Sequence, residues 1–393
     1  MPGPRHLGGV ERDTFDAVVI GGGPAGAVSA MGLARSGWRV GLVERHDRGR
    51  DTCCGWCLNP RVGPLLDRLG LRRVVSRASL TRTTGVRVHP SPGVVIDLPF
   101  DADAGWLTPR AALDAALLDA AAERGVTLLL AVTATVAPTD HNRFTVLLTR
   151  GQERRPVTPA LIVGADGLGS AVARAGGLTG SRGRVGRAYG CSIDAPSTDD
   201  ALGAAPGRVE MFLVAGGYLG CVRHGAGVHA AALVRPRRRE RPEAPDRFLE
   251  RAALTHPDVR LYLGAEPCPS RPHAAGPMPW RPGGVAAPGV ALVGDAAGYA
   301  EPFTGEGLTW AIESAALLAE SADTPGVFGR REAARFTTAW RRAVGRAQRR
   351  CALIGAALRC PGALARSHRL SALATTRVGR RVTRRVVRRG APA

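Results

Sequence analysis

Short apolar runs separated by glycine-rich turns divide this chain into alternating strands and helices. Residues 15–20 form an apolar run, small residues follow over 27–36, and a second apolar run covers 38–43. This order predicts a strand, a helix and a second strand, as in a parallel βαβ unit. Two more buried strands are predicted at 161–163 and 290–293, each followed by a turn rich in glycine and aspartate. We therefore expect an α/β fold built on a parallel sheet.

A β-rich segment interrupts this pattern. Residues 185–235 hold four short apolar runs between glycines, and residues 80–100 alternate apolar and polar positions around two prolines. Both features are typical of antiparallel strands. Because residues 326–393 have the pattern of helices, we expect a Rossmann-like α/β domain, an interleaved α+β insert and a helical C-terminus.

The turn after the first strand fits the GxGxxG fingerprint of dinucleotide-binding folds. It reads Gly21-Gly22-Gly23-Pro24-Ala25-Gly26. Gly21 permits a tight turn, Gly23 lets the backbone approach a pyrophosphate, and Gly26 lets helix and strand pack closely. Glu44 ends the second strand, where it can accept hydrogen bonds from both ribose hydroxyls and would repel a 2′-phosphate. FAD or NAD therefore fits this turn better than NADP.

Two other predicted strand ends carry turns of the same kind. One is Gly164-Ala165-Asp166-Gly167, and the other is Gly294-Asp295 followed by Pro302-Phe303-Thr304-Gly305-Glu306-Gly307-Leu308. The carboxyl ends of parallel strands meet at one edge of a sheet, which is where ligands bind. There an aspartate can accept hydrogen bonds from a ribityl chain, and glycines can admit a flavin edge. We expect the three turns to converge on one elongated cofactor.

Positive charge is concentrated at the C-terminus. The chain has 393 residues, a net charge of +21 and no lysine, and residues 330–393 hold 18 arginines and one acidic residue, Glu332. Three interpretations remain open: a solvated helical face, association with an anionic membrane or a carrier protein, and nucleic-acid binding. The tail has almost no aromatic residues for base stacking, so nucleic-acid binding is the weakest of the three.

The apolar runs and the cysteine content indicate the cellular compartment in which the protein is expected. The sequence contains no run of about 18 apolar residues, which predicts no membrane span. Its first residues lack the apolar segment of a secretory signal, so we expect no secretion. Eight cysteines in 393 residues do not indicate a disulfide framework. We expect a cytoplasmic protein, with membrane association through the arginine-rich tail left open.

Three cysteines lie close together at Cys53, Cys54 and Cys57. A zinc site would need a second cluster of ligands, which the sequence does not show, so we expect no metal. The other interpretations are a redox-active or flavin-proximal Cys54 and small packing residues in a tight turn. Packing is the favoured one.

Taken together and in this order, the three turns resemble the FAD-dependent oxidoreductases of the p-hydroxybenzoate hydroxylase fold. That superfamily includes aromatic-ring monooxygenases, flavin halogenases and geranylgeranyl reductases. The resemblance covers roughly residues 14–325 and implies FAD as the cofactor. By resemblance, the cofactor is held by Gly21, Gly23, Pro24, Ala25, Gly26, Glu44, Arg45, Arg110, Asp166, Gly167, Asp295, Gly305, Glu306, Gly307 and Leu308.

Two segments bear on the branch of this superfamily. Residues 302–307 are similar to the PFTGEG of geranylgeranyl-reductase-like proteins, and residues 54–60 resemble their CGxxLxP segment near the flavin. Residues 218–223 depart from the YxWxFPK of prenyl reductases. The WxWxIP pattern and the lysine of the halogenases are both missing. Cys54 and Glu306 are candidate flavin-proximal groups, although Glu306 is equally suited to capping the helix that follows.

The resemblance implies an enzyme acting on a hydrophobic or aromatic small molecule, with secondary metabolism as the expected context. The leading expectation is a monooxygenase whose flavin is reduced by NAD(P)H or by a ferredoxin-like donor. The alternatives are a C=C reductase of the geranylgeranyl type and a non-catalytic scaffold with this fold. The expected segments are FAD-binding at 14–80, 108–183 and 286–325, a β substrate domain at 81–107 and 184–285, and a basic helical region at 326–393.

Overall fold

The computed structural model describes residues 15–100, 105–139, 144–179, 188–196, 207–225, 227–235, 244–263, 273–358 and 386–388. The strands are, in chain order, β1 (Ala17–Ile20), β2 (Val40–Glu44), β3 (Cys57–Leu58), β4 (Thr81–Arg82), β5 (Gly85–Ser91), β6 (Val94–Pro99), β7 (Trp106–Leu107), β8 (Thr127–Leu130), β9 (Thr133–Pro138), β10 (Phe144–Arg150), β11 (Glu153–Val157), β12 (Leu161–Gly164), β13 (Ala188–Pro196), β14 (Arg208–Val214), β15 (Gly217–His224), β16 (Gly227–Val234), β17 (His273–Met278), β18 (Ala286–Ala287), β19 (Val290–Leu292) and β20 (Val386–Arg388).

The α-helices over the same residues are α1 (Pro24–Arg35), α2 (Gly63–Arg68), α3 (Arg72–Ala78), α4 (Arg110–Glu123), α5 (Ala171–Ala175), α6 (Pro245–Thr255), α7 (Pro257–Leu263), α8 (Gly307–Ser321), α9 (Arg330–Trp340) and α10 (Arg346–Leu358). A π-helical turn, Arg341–Gly345, joins α9 to α10.

A six-stranded sheet in the order β18-β19-β12-β1-β2-β8 carries the α/β part of the fold. Its strands are parallel except for the β18–β19 pair, and β1 lies between β12 and β2 with Ala17 opposite Leu161 and Val40. All four residues of β1 are buried, as expected for a parallel strand covered on both faces. The predicted parallel α/β architecture is confirmed.

Helices α1 and α8 pack against each other beside this sheet. Gly32 of α1 has no side chain where Ala319 of α8 approaches, and a Cβ placed on Gly32 would lie 2.5 Å from the Ala319 Cβ. The two helices begin within the first and third predicted turns, at Pro24 and Gly307. Their close packing therefore fixes how far apart those two turns lie.

The β-rich segment forms an eight-stranded sheet in the order β17-β13-β16-β15-β14-β5-β6-β20. Side chains alternate between its two faces, as the pleat requires. On the face turned away from the cleft, Phe212 and Leu219 are fully buried with Phe248 of α6. The same layer holds a buried polar contact, in which His89 Nε2 lies 2.7 Å from Glu210 Oε2. Two short helices thus shield one face and leave the other for a ligand.

The C-terminal part is helical over α9, the π-turn and α10, as expected. Residues 386–388 differ, because they pair with β6 as strand β20, with Val386 opposite Ile96 and Val387 opposite Val95. β-Branched valines favour this extended edge pairing. The rest of the predicted helical tail, residues 359–385 and 389–393, lies outside the described residues. No described helix has both the length and the apolarity needed to cross a membrane.

Replacing Gly32 with alanine tests the α1–α8 contact. Alanine favours a helix by about 1 kcal/mol over glycine, yet we expect Gly32→Ala to lower the free energy of unfolding by about 1–3 kcal/mol through overpacking. Adding Ala319→Gly removes the facing methyl group, so the two substitutions should be coupled by about 1 kcal/mol or more. Urea unfolding of both single variants and the double variant measures this coupling, and additive losses would contradict it.

Candidate functional site

The strand ends of the parallel sheet open onto one large cleft. Its volume is about 2940 Å³, several times that of an ordinary small-molecule pocket. Of the residues implied by resemblance, those that line it are Gly21, Gly23, Pro24, Ala25, Glu44, Arg45, Arg110, Asp166, Gly167, Asp295, Gly305, Glu306, Gly307 and Leu308, and the candidate Cys54 lines it as well. Gly26 does not line the cleft. The three turns thus share one space large enough for a dinucleotide and a second molecule.

The first turn is held by backbone contacts that leave no room for side chains. Gly21 has φ +112°, and a Cβ there would lie 2.3 Å from the Ala165 carbonyl oxygen. A Cβ on Gly26 would lie 1.8 Å from the carbonyl oxygen of Gly21, so Gly26 acts by packing behind the cleft. Gly23 is the N-cap residue of α1 and provides no side-chain cap. The first-turn N–H groups can therefore bind an anion.

Glu44 lies at the end of β2, beside this turn. Its Oε2 accepts a hydrogen bond from the Gly22 N–H at 2.7 Å, and its Oε1 accepts one from the His46 N–H at 3.0 Å. Each carboxylate oxygen has a further lone pair, so both can still accept a hydroxyl donor from a ribose. Neighbouring Arg45 is exposed, and its Nε lies 3.1 Å from the His46 ring.

Arg110 begins helix α4 and reaches into the middle of the cleft. Its Nε and Nη2 lie 3.2 and 3.1 Å from the two carboxylate oxygens of Asp114. Burial alone would lower the pKa of Arg110, but the Asp114 carboxylate raises that pKa above its ordinary value. Arg110 therefore keeps its charge in the cleft and can bind an anionic part of a ligand.

The carboxylate of Asp166 is engaged by its own loop. Oδ1 accepts a hydrogen bond from Ser170 Oγ at 2.5 Å, and Oδ2 accepts from the Ala171 and Val172 N–H groups at 2.7 and 3.2 Å. These contacts hold the start of α5. Asp166 also lines the cleft. The sequence did not predict that its carboxylate would bind the N–H groups at the start of α5.

Asp295 lies in the 3₁₀ turn Gly294–Ala297 that follows β19, and its carboxylate differs from that of Asp166 in its partners. No hydrogen bond from the described residues reaches its carboxylate. Burial raises the pKa of Asp295 from 3.8 to about 6, and the positive charge of Arg110 partly offsets this increase. A half-buried carboxylate without a partner is suited to accept hydrogen bonds from a polyhydroxyl chain.

The third turn closes the far end of the cleft. Gly305 has φ +62°, and the Cys57 Sγ lies 3.4 Å from where its Cβ would be. Glu306 forms an ion pair with Arg61. It occupies the N-cap position of α8 but makes no side-chain hydrogen bond there, so the capping alternative is wrong. The Arg61 guanidinium is a stronger partner for this carboxylate than a backbone N–H.

The cysteine segment lies against this third turn. Burial raises the pKa of the Cys57 thiol to about 12, and the nearby Cys54 adds to the increase. Cys57 therefore remains a neutral thiol, which favours packing over redox chemistry for that residue. No group of three or more metal-ligating side chains occurs among the described residues.

Sequence reasoning missed the contact that orients this segment. Trp56 has φ +57°, an uncommon backbone angle for a large residue, and its ring stacks on His229 with centroids 3.7 Å apart and an interplanar angle of 8°. His229 Nε2 lies 2.7 Å from the Cys54 carbonyl oxygen. His229 is on β16, about 170 residues away in sequence, so local sequence patterns carried no signal for this pair.

The residues present fit FAD. The cleft is lined by anion-binding N–H groups at the start of α1, the Glu44 carboxylate, the half-buried Arg110 cation and the Asp295 carboxylate, which has no partner among the described residues. These groups suit the adenosine ribose (Glu44), the pyrophosphate (the N–H groups of α1) and the ribityl chain (Asp295) of a flavin dinucleotide. The glycines at 305 and 307 leave space for a flat ring.

Replacing Glu44 with glutamine tests the ribose end. The amide keeps the shape but loses the charge and one acceptor, so we expect FAD to bind about tenfold more weakly, a loss of about 1.4 kcal/mol. Titration of apoprotein with FAD, followed by flavin fluorescence, measures the Kd. Glu123→Gln at the exposed end of α4 is the matched control. Equal affinity in the Glu44 variant would contradict this assignment.

The raised pKa of Asp295 predicts a pH dependence of stability. In the unfolded chain the carboxyl ionises near pH 3.8, whereas in the folded apoprotein it ionises near 6. Folding therefore favours the protonated form, and this group's contribution to stability falls as pH rises from about 4 to about 6. Relative to Asp295→Asn, the wild-type apoprotein should lose about 2 kcal/mol between pH 4 and pH 7. Urea unfolding at both pH values checks this, with Asp119→Asn as an exposed control; identical profiles for wild type and Asp295→Asn would refute it.

Comparison with known proteins identifies the family. A family profile described as "FAD binding domain" matches residues 14–259. The menaquinone reductase of Mycolicibacterium smegmatis is 30% identical over 335 residues, which cover 79% of this chain and 77% of that protein. The digeranylgeranylglycerophospholipid reductase of Methanocaldococcus jannaschii is 23% identical, with the same coverage.

Solved structures show the same fold at lower identity. A geranylgeranyl bacteriochlorophyll reductase-like protein from Thermoplasma acidophilum superposes with a TM-score of 0.75 at 20% identity, covering 88% of each chain. The halogenase PltM in complex with phloroglucinol and FAD also gives a TM-score of 0.75, at 17% identity, covering 88% of this chain and 77% of that one. On the matched profile, the cleft and the 30%-identical relative, this chain belongs to the FAD-binding-domain family and is an FAD-dependent oxidoreductase.

Proposed function

We propose that this oxidoreductase reduces C=C bonds in an extended apolar molecule. The relatives named menaquinone reductase and digeranylgeranylglycerophospholipid reductase support this proposal, as does a geranylgeranyl diphosphate reductase of Rhodobacter capsulatus that is 26% identical over 316 residues. Geranylgeranyl groups are long hydrocarbons with isolated C=C bonds. The family resemblance of residues 54–60 and 302–307 favours the same branch.

The apolar chamber beyond the third turn carries this proposal. It lies between the loop at 302–308 and the inner face of the eight-stranded sheet. Its apolar lining consists of Val86, Val88, Ile96, Leu98, Val209, Met211, Leu213, Tyr218, Val222, Met278 and Phe303. Such a surface binds hydrocarbon and excludes water. Bound FAD supplies two electrons when reduced, and the chamber would hold an apolar chain next to it.

Tyr218 places a buried hydroxyl in this apolar chamber. Its side chain is 7% exposed, its ring meets Phe303 edge-on at 5.3 Å, and its hydroxyl has no hydrogen-bond partner among the described residues. Burial raises the pKa of Tyr218 well above its ordinary value, and Glu301 adds to the effect. The hydroxyl therefore keeps its proton at neutral pH and can orient a substrate by donating a hydrogen bond.

The electron source is proposed to be NAD(P)H or a ferredoxin-like donor. The sequence contains one GxGxxG fingerprint, which FAD would occupy. Nicotinamide binding is therefore expected to be transient, with the donor reaching the flavin from the open side of the cleft.

A second candidate is hydroxylation of a bulkier or aromatic substrate, the leading expectation from the sequence. The observation that favours it is Gly220, which lines the chamber in strand β15 where the prenyl-reductase pattern has tryptophan. The Met211 thioether lies against this glycine, 2.9 Å from where its Cβ would be, and a flexible methionine side chain can move aside for a bulkier ligand. Val222, at the phenylalanine position of that pattern, widens the chamber further. Halogenation is disfavoured because the chain has no lysine.

Anaerobic and aerobic turnover separate these two functions. With FAD-loaded protein, dithionite as reductant and geranylgeranyl diphosphate, which dithionite alone does not reduce, as substrate, we expect anaerobic products two mass units heavier by mass spectrometry. Products labelled from ¹⁸O₂, formed only in air, would support hydroxylation and overturn the reductase proposal.

Gly220→Trp provides a structural control for this assay. The indole would displace the flexible Met211 side chain, which lies 2.9 Å from the Gly220 Cβ position, and fill the inner face of the chamber, while the FAD-binding residues stay untouched. We expect turnover to fall at least about tenfold with the flavin absorbance and FAD affinity unchanged. Unchanged turnover would show that the substrate does not lie against β15.

A further inference from the structure

One side of the C-terminal helices borders the cleft, with arginine side chains at one end and aliphatic side chains at the other. Arg342 in the π-turn and Arg346 and Arg350 in α10 line the cleft at four-residue intervals, followed by Leu353 and Ile354. Residues spaced by three or four share one side of a helix. The three arginines extend over about 12 Å at 1.5 Å per residue.

The positive charges of these three arginines are not neutralised by neighbouring carboxylates. All three are exposed, and none forms an ion pair within the described part of the chain. The carboxylates nearby already have arginine partners, because Glu301 pairs with Arg235 at 2.6 Å and Glu306 pairs with Arg61. The stripe therefore presents uncompensated positive charge beside an apolar chamber.

Helix α10 is held firmly enough to form a binding wall. The Cys351 thiol donates to the Glu301 carbonyl oxygen at 3.2 Å and accepts from Thr304 Oγ1 at 3.4 Å. Gln348 Nε2 donates to the Gly298 carbonyl oxygen at 2.6 Å. The helix is thereby tied to the segment that leads into the third turn, and the arginine stripe keeps a fixed position relative to the chamber.

We propose that Arg342, Arg346 and Arg350 form an anion subsite that binds the phosphate head of an amphiphilic substrate whose hydrocarbon chain enters the chamber. This subsite is separate from the α1 turn that faces the dinucleotide pyrophosphate. Guanidinium groups bind phosphate oxygens in pairs and at fixed geometry, and a diphosphate spans two of the three arginines. The inference rests on the proposed function in one respect, namely that the hydrocarbon chain of the substrate binds in the chamber.

Binding of a matched pair of probes tests the subsite without turnover. Isothermal titration of oxidised, FAD-loaded protein with farnesyl diphosphate and with farnesol, both below their aggregation limits, compares a charged and a neutral head on one chain. We expect the diphosphate to bind about 10- to 100-fold more tightly, with an advantage that shrinks as salt rises. The double variant Arg346→Gln/Arg350→Gln should lose this advantage and keep its affinity for farnesol.

Arg349→Gln is the matched control, because Arg349 lies on the same helix, is exposed and does not line the cleft. Equal binding of both probes by wild type, or an equal loss in the control, would overturn the subsite.

Flotation with phosphatidylglycerol vesicles tests the other source of phosphate, which is the headgroups of a lipid bilayer. If the double variant loses only vesicle binding, the arginines contact a bilayer and the substrate subsite is refuted. Failure of the reductase proposal would appear in the turnover assay and leave this binding result intact.

Discussion

The close approach of three backbone segments at Gly21, Gly26 and Ala165 is the constraint on which the rest of the structure depends. A methyl group at either glycine would overlap a carbonyl oxygen at 2.3 Å or less. The ends of β1, α1 and β12 therefore meet without intervening side chains. Because the backbone itself closes the turn, the N–H groups of α1 face the cleft, and everything that lines the cleft is positioned from this junction.

Charge in the cleft is arranged mostly as neutralised pairs. Arg110 with Asp114, Arg61 with Glu306 and Arg235 with Glu301 each place two opposite charges in contact, which limits the cost of partial burial. Asp295, Glu313, Arg50 and the arginines at 342, 346 and 350 depart from this arrangement, because they line the cleft without an ion pair among the described residues. A ligand can supply the missing partners of such groups, which makes them candidates for ligand binding.

Local patterns in the sequence were sufficient to predict the parallel sheet and the three turns, because each turn directly follows a run of buried residues. They were also sufficient for placing Glu44 and Asp295 at strand ends facing one space. They did not predict that the Asp166 carboxylate holds the start of α5, although Ser170 four residues later is a signal that a helix start lies there. Nor did they predict the Trp56–His229 stack, which joins residues far apart in sequence and depends on how the β-rich sheet docks on the α/β part.

Helix α10 packs against the segment before the third turn, so this part of the C-terminal region belongs to the folded body of the protein. Gly355 lies so close to Glu301 that any side chain there would meet the carboxylate, at 1.8 Å from Oε2. Truncation of the chain before α9 would therefore remove one wall of the cleft and expose the apolar chamber to solvent. Over residues 346–355 the arginine-rich C-terminal region therefore forms part of the cleft wall, with Ala347 and Cys351 buried against the rest of the protein and Arg346 and Arg350 exposed.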